Sequence, residues 1–185
     1  MKKVLIIVGV VLVLLIGSAV GTYNGLVSKK ENVDNKFSDI SVQLQRRSDL
    51  IPNLISTVKG YTKHEEKIIK EITAAREKLV GAKTIEDKAN ANSELTKALN
   101  GLNVIVENYP DLKSSSNFIA LQDELAGTEN RIAVARRDYN EVVKEYNREI
   151  KKFPTNLFAN MFNFEKADYF ETKESTKDAP KVSFE

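Results

Sequence analysis

Two stretches of this chain concentrate side chains that can grip an anion or a carboxylate. Gln43, Arg46, Arg47, Asp49 and Asn53 form one group, and Glu129, Asn130, Arg131, Arg136, Arg137, Asp138 and Asn140 form the other. Arginine suits this role because its planar guanidinium donates two parallel hydrogen bonds to a carboxylate or phosphate. The candidate binding residues are Arg46, Arg47, Asp49, Glu129, Arg131 and Arg136. Their functional reading is a patch for an anionic lipid head group, a peptide or a partner carboxylate. The preferred reading is structural: charged residues that meet between two helices and fix their register. Arg47 carries most of that weight, because it falls on an apolar seam. An unpaired guanidinium there would be costly, so it must reach a carboxylate such as Glu129 or snorkel outward.

Other chemistry is sparse. His64, beside Glu65 and Glu66, is the single histidine. A zinc-protease helix needs a second histidine one turn on, and position 68 is Ile. His64 therefore reads as a lone exposed helical side chain, with a metal-dependent activity built on it and nearby carboxylates as a minor alternative. There is no cysteine to act as nucleophile, and no serine sits in a nucleophile-elbow sequence. Gly25, Gly60, Gly81, Gly101 and Gly127 occur singly, so no phosphate loop or dinucleotide fingerprint can be built from them. The expectation is a protein that is not an enzyme and uses no cofactor or metal.

The elements that must position the arginines are helices. Charged residues make up 29% of the 185, with few Gly and Pro and no Trp or Cys, a composition that favours helix over strand. Alternating steps of four and three from Leu26 land on Lys30, Val33, Phe37, Ile40, Leu44, Arg47, Ile51, Leu54, Val58 and Tyr61. Pro52 predicts a kink or boundary near 48–51. Gly60 is a second weak point, but the same phase continues through Ile68, Ile72, Ala75 and Leu79, predicting one helix to about Val80. Thr84 and Asp87 mark the next helix start, with Leu95, Leu99, Leu102 and Val106 as its stripe. Beyond the break at Tyr109 to Asp111, a long stripe runs through Phe118, Leu121, Leu125, Thr128, Ile132, Ala135, Tyr139, Val142, Tyr146, Ile150 and Phe153 until Pro154. Asn24, Asn53, Asn130, Asn140 and Asn147 are available to cap or crosslink these helices. Phe158, Phe162 and Phe164 then cluster, and are read as closing the end of a bundle in preference to lying on a membrane.

Ahead of all this, Lys2 and Lys3 precede an apolar run from Val4 to Gly21. Its eighteen residues span roughly 27 Å as a helix, close to the hydrocarbon thickness of a bilayer. A transmembrane anchor is favoured over a cleaved signal: Val20 carries the run past the small residues Gly17 to Ala19, and Tyr23 gives an interfacial exit. With no cysteine, lipid attachment at a cysteine is excluded. Lys2 and Lys3 favour a cytoplasmic N-terminus and a body outside the cytoplasm, against opposing Lys29, Lys30 and Lys36. The expected organisation is an anchor at 1–22, a helical bundle at 23–171 and a disordered polar tail at 172–185.

The segment from Ser38 to Glu65, SDISVQLQRRSDLIPNLISTVKGYTKHE, resembles the signature of the LemA family. A second stretch, TENRIAVARRDYNEVVKEYN from Thr128 to Asn147, followed by Phe153-Pro154 and Tyr169-Phe170-Glu171, is similar to that family's other recurrent block. The resemblance covers roughly residues 1–171. It implies an N-terminal transmembrane segment and an antiparallel bundle of long helices, and it implies no reaction.

The near balance of 28 basic and 26 acidic residues argues against a nucleic-acid partner. The expected partners are the membrane, other proteins and a second copy of the chain, since long apolar stripes can pair between chains. The leading function is a membrane-anchored interaction or scaffolding module, with a lipid-sensing or membrane-shaping protein as the alternative.

Overall fold

The computed structural model describes residues 1–62 and 64–172; beyond Thr172 the predicted tail lies outside the described residues. The fold is all-α. Its helices are α1 (Lys2–Tyr61), α2 (Glu66–Gly81), α3 (Ile85–Val106), α4 (Pro110–Lys113), α5 (Ser116–Glu149) and α6 (Thr155–Met161). They form two compact units: Met1–Phe37 with Asp138–Ala167, and Ser38–Arg137 with the described part of Asp168–Glu185.

In the first unit, the N-terminal part of α1 is the apolar run, and Val4, Leu5, Ile6, Leu12 and Leu14 are all exposed. Among the described residues α1 is the one helix long and apolar enough to cross a membrane. Further along α1, Leu26 and Val33 are buried, and the Phe37 ring lies 5.8 Å from that of the fully buried Tyr139 of α5. Lys29 pairs with Glu145 at 3.9 Å, so α1 and α5 run antiparallel here. After α6 the backbone turns on Asn163, whose φ of 57° is the left-handed conformation that asparagine tolerates. Phe164 N–H then donates to Ala159 O at 2.9 Å, closing the helix end as a Schellman-type turn. That turn brings Phe162 and Phe164 edge-on to Tyr23, at 4.9 and 5.7 Å between ring centres.

In the second unit the predicted seam is the core. Ile40, Leu44, Ile51, Leu54 and Val58 of α1 are at most 2% exposed, each contributing about 1.5–3 kcal/mol of apolar burial. Ile68, Ile72, Ala75 and Leu79 of α2, and Leu95, Leu99, Leu102 and Val106 of α3, are buried in the predicted phase. The hydroxyl of Thr84 accepts the Asp87 N–H at 3.0 Å and starts α3. Helices α2 and α3 form an antiparallel hairpin: Lys78 reaches Glu94 at 2.5 Å, and Ile68 Cδ1 sits 3.1 Å from where a Cβ on Gly101 would be.

Several expectations need correction. Pro52 does not end α1. Its missing N–H would orphan the carbonyl of Ser48 one turn back, and Arg76 of α2 donates its Nε–H to that oxygen at 3.0 Å. The break comes instead after Tyr61, at the weak point beside Gly60, so the predicted helix to Val80 is two helices. Glu65, just before α2, accepts the Tyr109 hydroxyl at 2.8 Å. Tyr61, placed on the seam by periodicity, is 46% exposed. In α5 the stripe shifts by one residue, burying Val143 in place of Val142, and the helix stops at Glu149, leaving Phe153 80% exposed.

Candidate functional site

Arg47 reaches its place because the α1 seam demands a buried side chain there and the sequence supplies a cation. It is 3% exposed. Two other helices of the second unit meet it: Nη1 donates to Asn92 Oδ1 of α3 at 2.6 Å and forms an ion pair with Glu129 Oε2 of α5. Desolvation lowers the affinity of the guanidinium for its proton, and the Glu129 charge works in the opposite direction. Arg47 stays cationic, since an arginine lies far above neutral pH even when its pKa falls. Its Nε and the neighbouring Ser48 Oγ are buried without a hydrogen-bond partner. The Glu129 side chain is 42% accessible as a whole, but the Oε2 that faces Arg47 is itself buried and has that ion pair without a hydrogen bond.

A second layer lies toward solvent on α1 and α5. Arg46 pairs with Glu124, which also accepts Arg131 Nη2 at 3.2 Å, while Arg131 Nε donates to Gln43 Oε1 at 3.2 Å. Four of the six candidate residues thus lie in two neighbouring groups of this network: Arg47 and Glu129 with Asn92 of α3, and Arg46 and Arg131 with Glu124 and Gln43. Two do not. Asp49 accepts Gln45 Nε2 at 2.8 Å along the exposed face of α1, and Arg136 is exposed on α5 outside the network. Asp49 lies two residues past Arg47, about 200° around α1 and off the shared face, whereas Arg136 lies seven past Glu129, on nearly the same face but about 10 Å further along α5.

The network holds guanidinium, carboxamide and carboxylate groups, and Arg47 already spends Nη1 on two internal acceptors. Such an arrangement penalises sliding of either helix, which would strand a buried cation. Sequence reasoning missed Asn92, Glu124 and Arg76. Asn92 was within reach: one step of three back from Leu95 along the α3 stripe lands on it, and it is 8% exposed.

His64 lies outside a helix, exposed in the link between α1 and α2, rather than on a helical face. Glu66, Lys67 and Lys70 surround the shallow depression beside it, and Lys70 pairs with Glu66 at 3.1 Å. Among the described residues no three His, Asp or Glu side chains gather in a metal-holding group.

The sequence stretches that build this network also place the chain among known proteins. The LemA family model matches residues 36–184. The chain belongs to the LemA family. The matched region includes Arg46, Arg47, Asn92, Glu124, Glu129 and Arg131 and begins after the apolar run. This LemA-family chain is 29% identical over 177 residues to Magnetosome protein MamQ 2 of Paramagnetospirillum magneticum, covering 82% of the chain and 65% of that relative. It is 27% identical to Magnetosome protein MamQ of Magnetospirillum gryphiswaldense over the same shares. Protein LemA of Metamycoplasma hominis is 27% identical over 158 residues, covering 84% of the chain and 71% of that protein. The chain therefore spans just under two thirds of the length of the curated magnetosome relatives it matches.

Proposed function

We propose that this LemA-family protein is a membrane-anchored helical module that holds a register-locked body at the cell membrane and presents it to other proteins or to a second copy of itself. The observation that carries this reading is the continuity of α1: the exposed apolar run and the seam that organises the body are one helix, Lys2–Tyr61. An anchor in this position raises local concentration at the membrane surface, so weak contacts of the body become effective without a bond being made or broken. The body lies outside the cytoplasm, with Lys2 and Lys3 retained inside. The arginine network serves the module by keeping one register.

The absence of native cysteine makes the test direct. Val104 is 72% exposed on α3, so Val104→Cys supplies a single reactive handle. In intact cells of the native host, a membrane-impermeant maleimide labels this variant if the body is outside the cytoplasm; labelling only after lysis reverses the orientation. Crosslinking from the same handle yields reproducible adducts with a partner or with itself. Membranes that yield neither, across repeated experiments, overturn the interaction reading.

A further inference from the structure

Helix α6 is amphipathic in the wrong sense for water. Its inward residue is the small Ala159, 1% exposed, while Leu157 and Met161 are 58% and 61% exposed. These two lie one turn apart on the face opposite Ala159, since two helical residues differ by about 200° around the axis. Phe153, just ahead of the helix, is 80% exposed, and Phe162, just after it, is 42% exposed. No charged residue occurs between Thr155 and Met161. Isolated exposed apolar residues need no explanation, but a short element whose one fully buried side chain is its smallest, with Leu157 and Met161 outward and Phe158 half-buried, does.

The location of this element within the first unit identifies what covers it. Phe162 and Phe164 pack on Tyr23, two residues beyond the end of the apolar run. Two residues of helix advance about 3 Å, whereas each interfacial layer of a bilayer is about 5–8 Å deep. If the run spans the membrane, Tyr23 lies in the head-group layer, and the rings in contact with it are held in or beside that layer. Aromatic residues favour this zone.

We infer that α6 and Phe153 form an interfacial collar, with Phe153, Leu157, Met161 and Phe162 seated in the head-group region of the bilayer that α1 crosses. This rests on the membrane-anchor reading above. A free helix of this length, lacking a lysine-rich face, would bind lipid weakly. The collar has no need of such a face, because α1 already delivers it to the surface at high effective concentration. Two elements of the first unit then meet the bilayer, α1 across it and α6 along it.

The chain has no tryptophan, so single replacements report on single sites. Full-length Leu157→Trp and Met161→Trp, reconstituted into neutral phosphatidylcholine vesicles, are examined with lipids bearing a quencher near the head group. Both lose most of their emission, and added salt leaves the loss unchanged, whereas Val104→Trp keeps its emission. Leu12→Trp, probed with a quencher deep in the acyl chains, monitors the anchor independently. Quenching at Leu12→Trp with none at Leu157→Trp or Met161→Trp overturns the collar and leaves the anchor standing. No quenching at Leu12→Trp overturns the anchor and the collar with it. Emission at 157 and 161 that is shielded from aqueous iodide yet untouched by lipid quenchers assigns the face to a second copy and overturns the collar.

Discussion

Helices α1 and α5 take part in both units, but the polar groups the two units bury differ in kind. In the first unit Tyr146 and Asn147 of α5 bury neutral groups that are engaged, while Asn156 Oδ1 is buried without a hydrogen-bond partner. Tyr146, 1% exposed, donates its hydroxyl proton to Glu165 O at 2.8 Å. Asn147, 7% exposed, uses both ends of its amide on Ala167, donating to its carbonyl at 2.8 Å and accepting its N–H at 2.9 Å. In the second unit the buried group is a cation with one carboxylate, one carboxamide and an Nε left over. Neutral groups that satisfy one another add stability at little desolvation cost; a buried ion pair contributes chiefly by penalising every arrangement that separates it. The first unit is therefore fastened, and the second is registered.

The largest effect tests the packing that underlies the fastened unit. Tyr139 is fully buried with Phe37 beside it. Tyr139→Ala should cost about 4 kcal/mol, from lost transfer energy, the cavity left behind and the ring pair. Denaturant unfolding of the full chain in detergent, followed by circular dichroism, measures it. A cost under about 1 kcal/mol would mean that the α1 and α5 contact in this unit is not a packed core.

Next comes the registered unit. Arg47→Ala should cost about 3 kcal/mol, at the low end for a broken buried pair because Glu129 is 42% exposed and its stranded charge can reach water. Arg47→Met, which keeps the bulk of the side chain, should fall within about 1 kcal/mol of the parent protein. Its cost should appear in specificity: crosslinks between α1 and α5 should spread over more than one register. If Arg47→Met retains one register, the network is not the lock, and an anion-binding role for Arg46 and Arg131 becomes the better account of those residues.

Third in size is the Asn147 clamp. Asn147→Ala removes two hydrogen bonds and should cost about 2 kcal/mol. Faster hydrogen exchange at the Ala167 amide, with the exchange of α2 and α3 unchanged, would show that the loss stays in the first unit. Spread of the effect to α2 and α3 would show that the two units do not respond separately.

Legibility in the sequence follows the same division. Ile40, Leu44, Arg47, Ile51, Leu54 and Val58 were readable because a helix packed on one side repeats every three or four residues. Arg47 was readable as the anomaly within that repeat, and Glu129 as its nearest acid on the opposite helix. What periodicity hides is an interaction across elements. Arg76 lies far along the chain from Ser48, and nothing at either position announces that the guanidinium will serve the carbonyl left open by Pro52. Without that donor, Pro52 reads as a kink. The stripe in α5 was followed correctly to Tyr139 and then slipped to Val142, since adjacent valines give the pattern no means of choosing between them. Asn163 was invisible for a different reason: its role is a backbone angle, and the Phe162 and Phe164 placement that depends on it arises from one left-handed residue.

The smallest effect is a pH dependence of the first unit. Glu149, at the C-terminal end of α5 in the first unit, has its carboxyl held below the ordinary value of 4.5, chiefly by the Lys152 ammonium that donates to it at 2.9 Å. A carboxyl lowered by folding stabilises the native state above its unfolded value and loses that contribution as pH falls through the lower, folded value. Stability of the first unit should thus be level from neutral down to about 4.5 and decline below it. The pair is largely exposed and screened, so the decline it causes is worth a few tenths of a kcal/mol. Lys152→Met should flatten that part of the acid limb when melting is followed over a descending pH series. An acid limb unchanged by Lys152→Met would show that this pair does not set the acid response of the first unit.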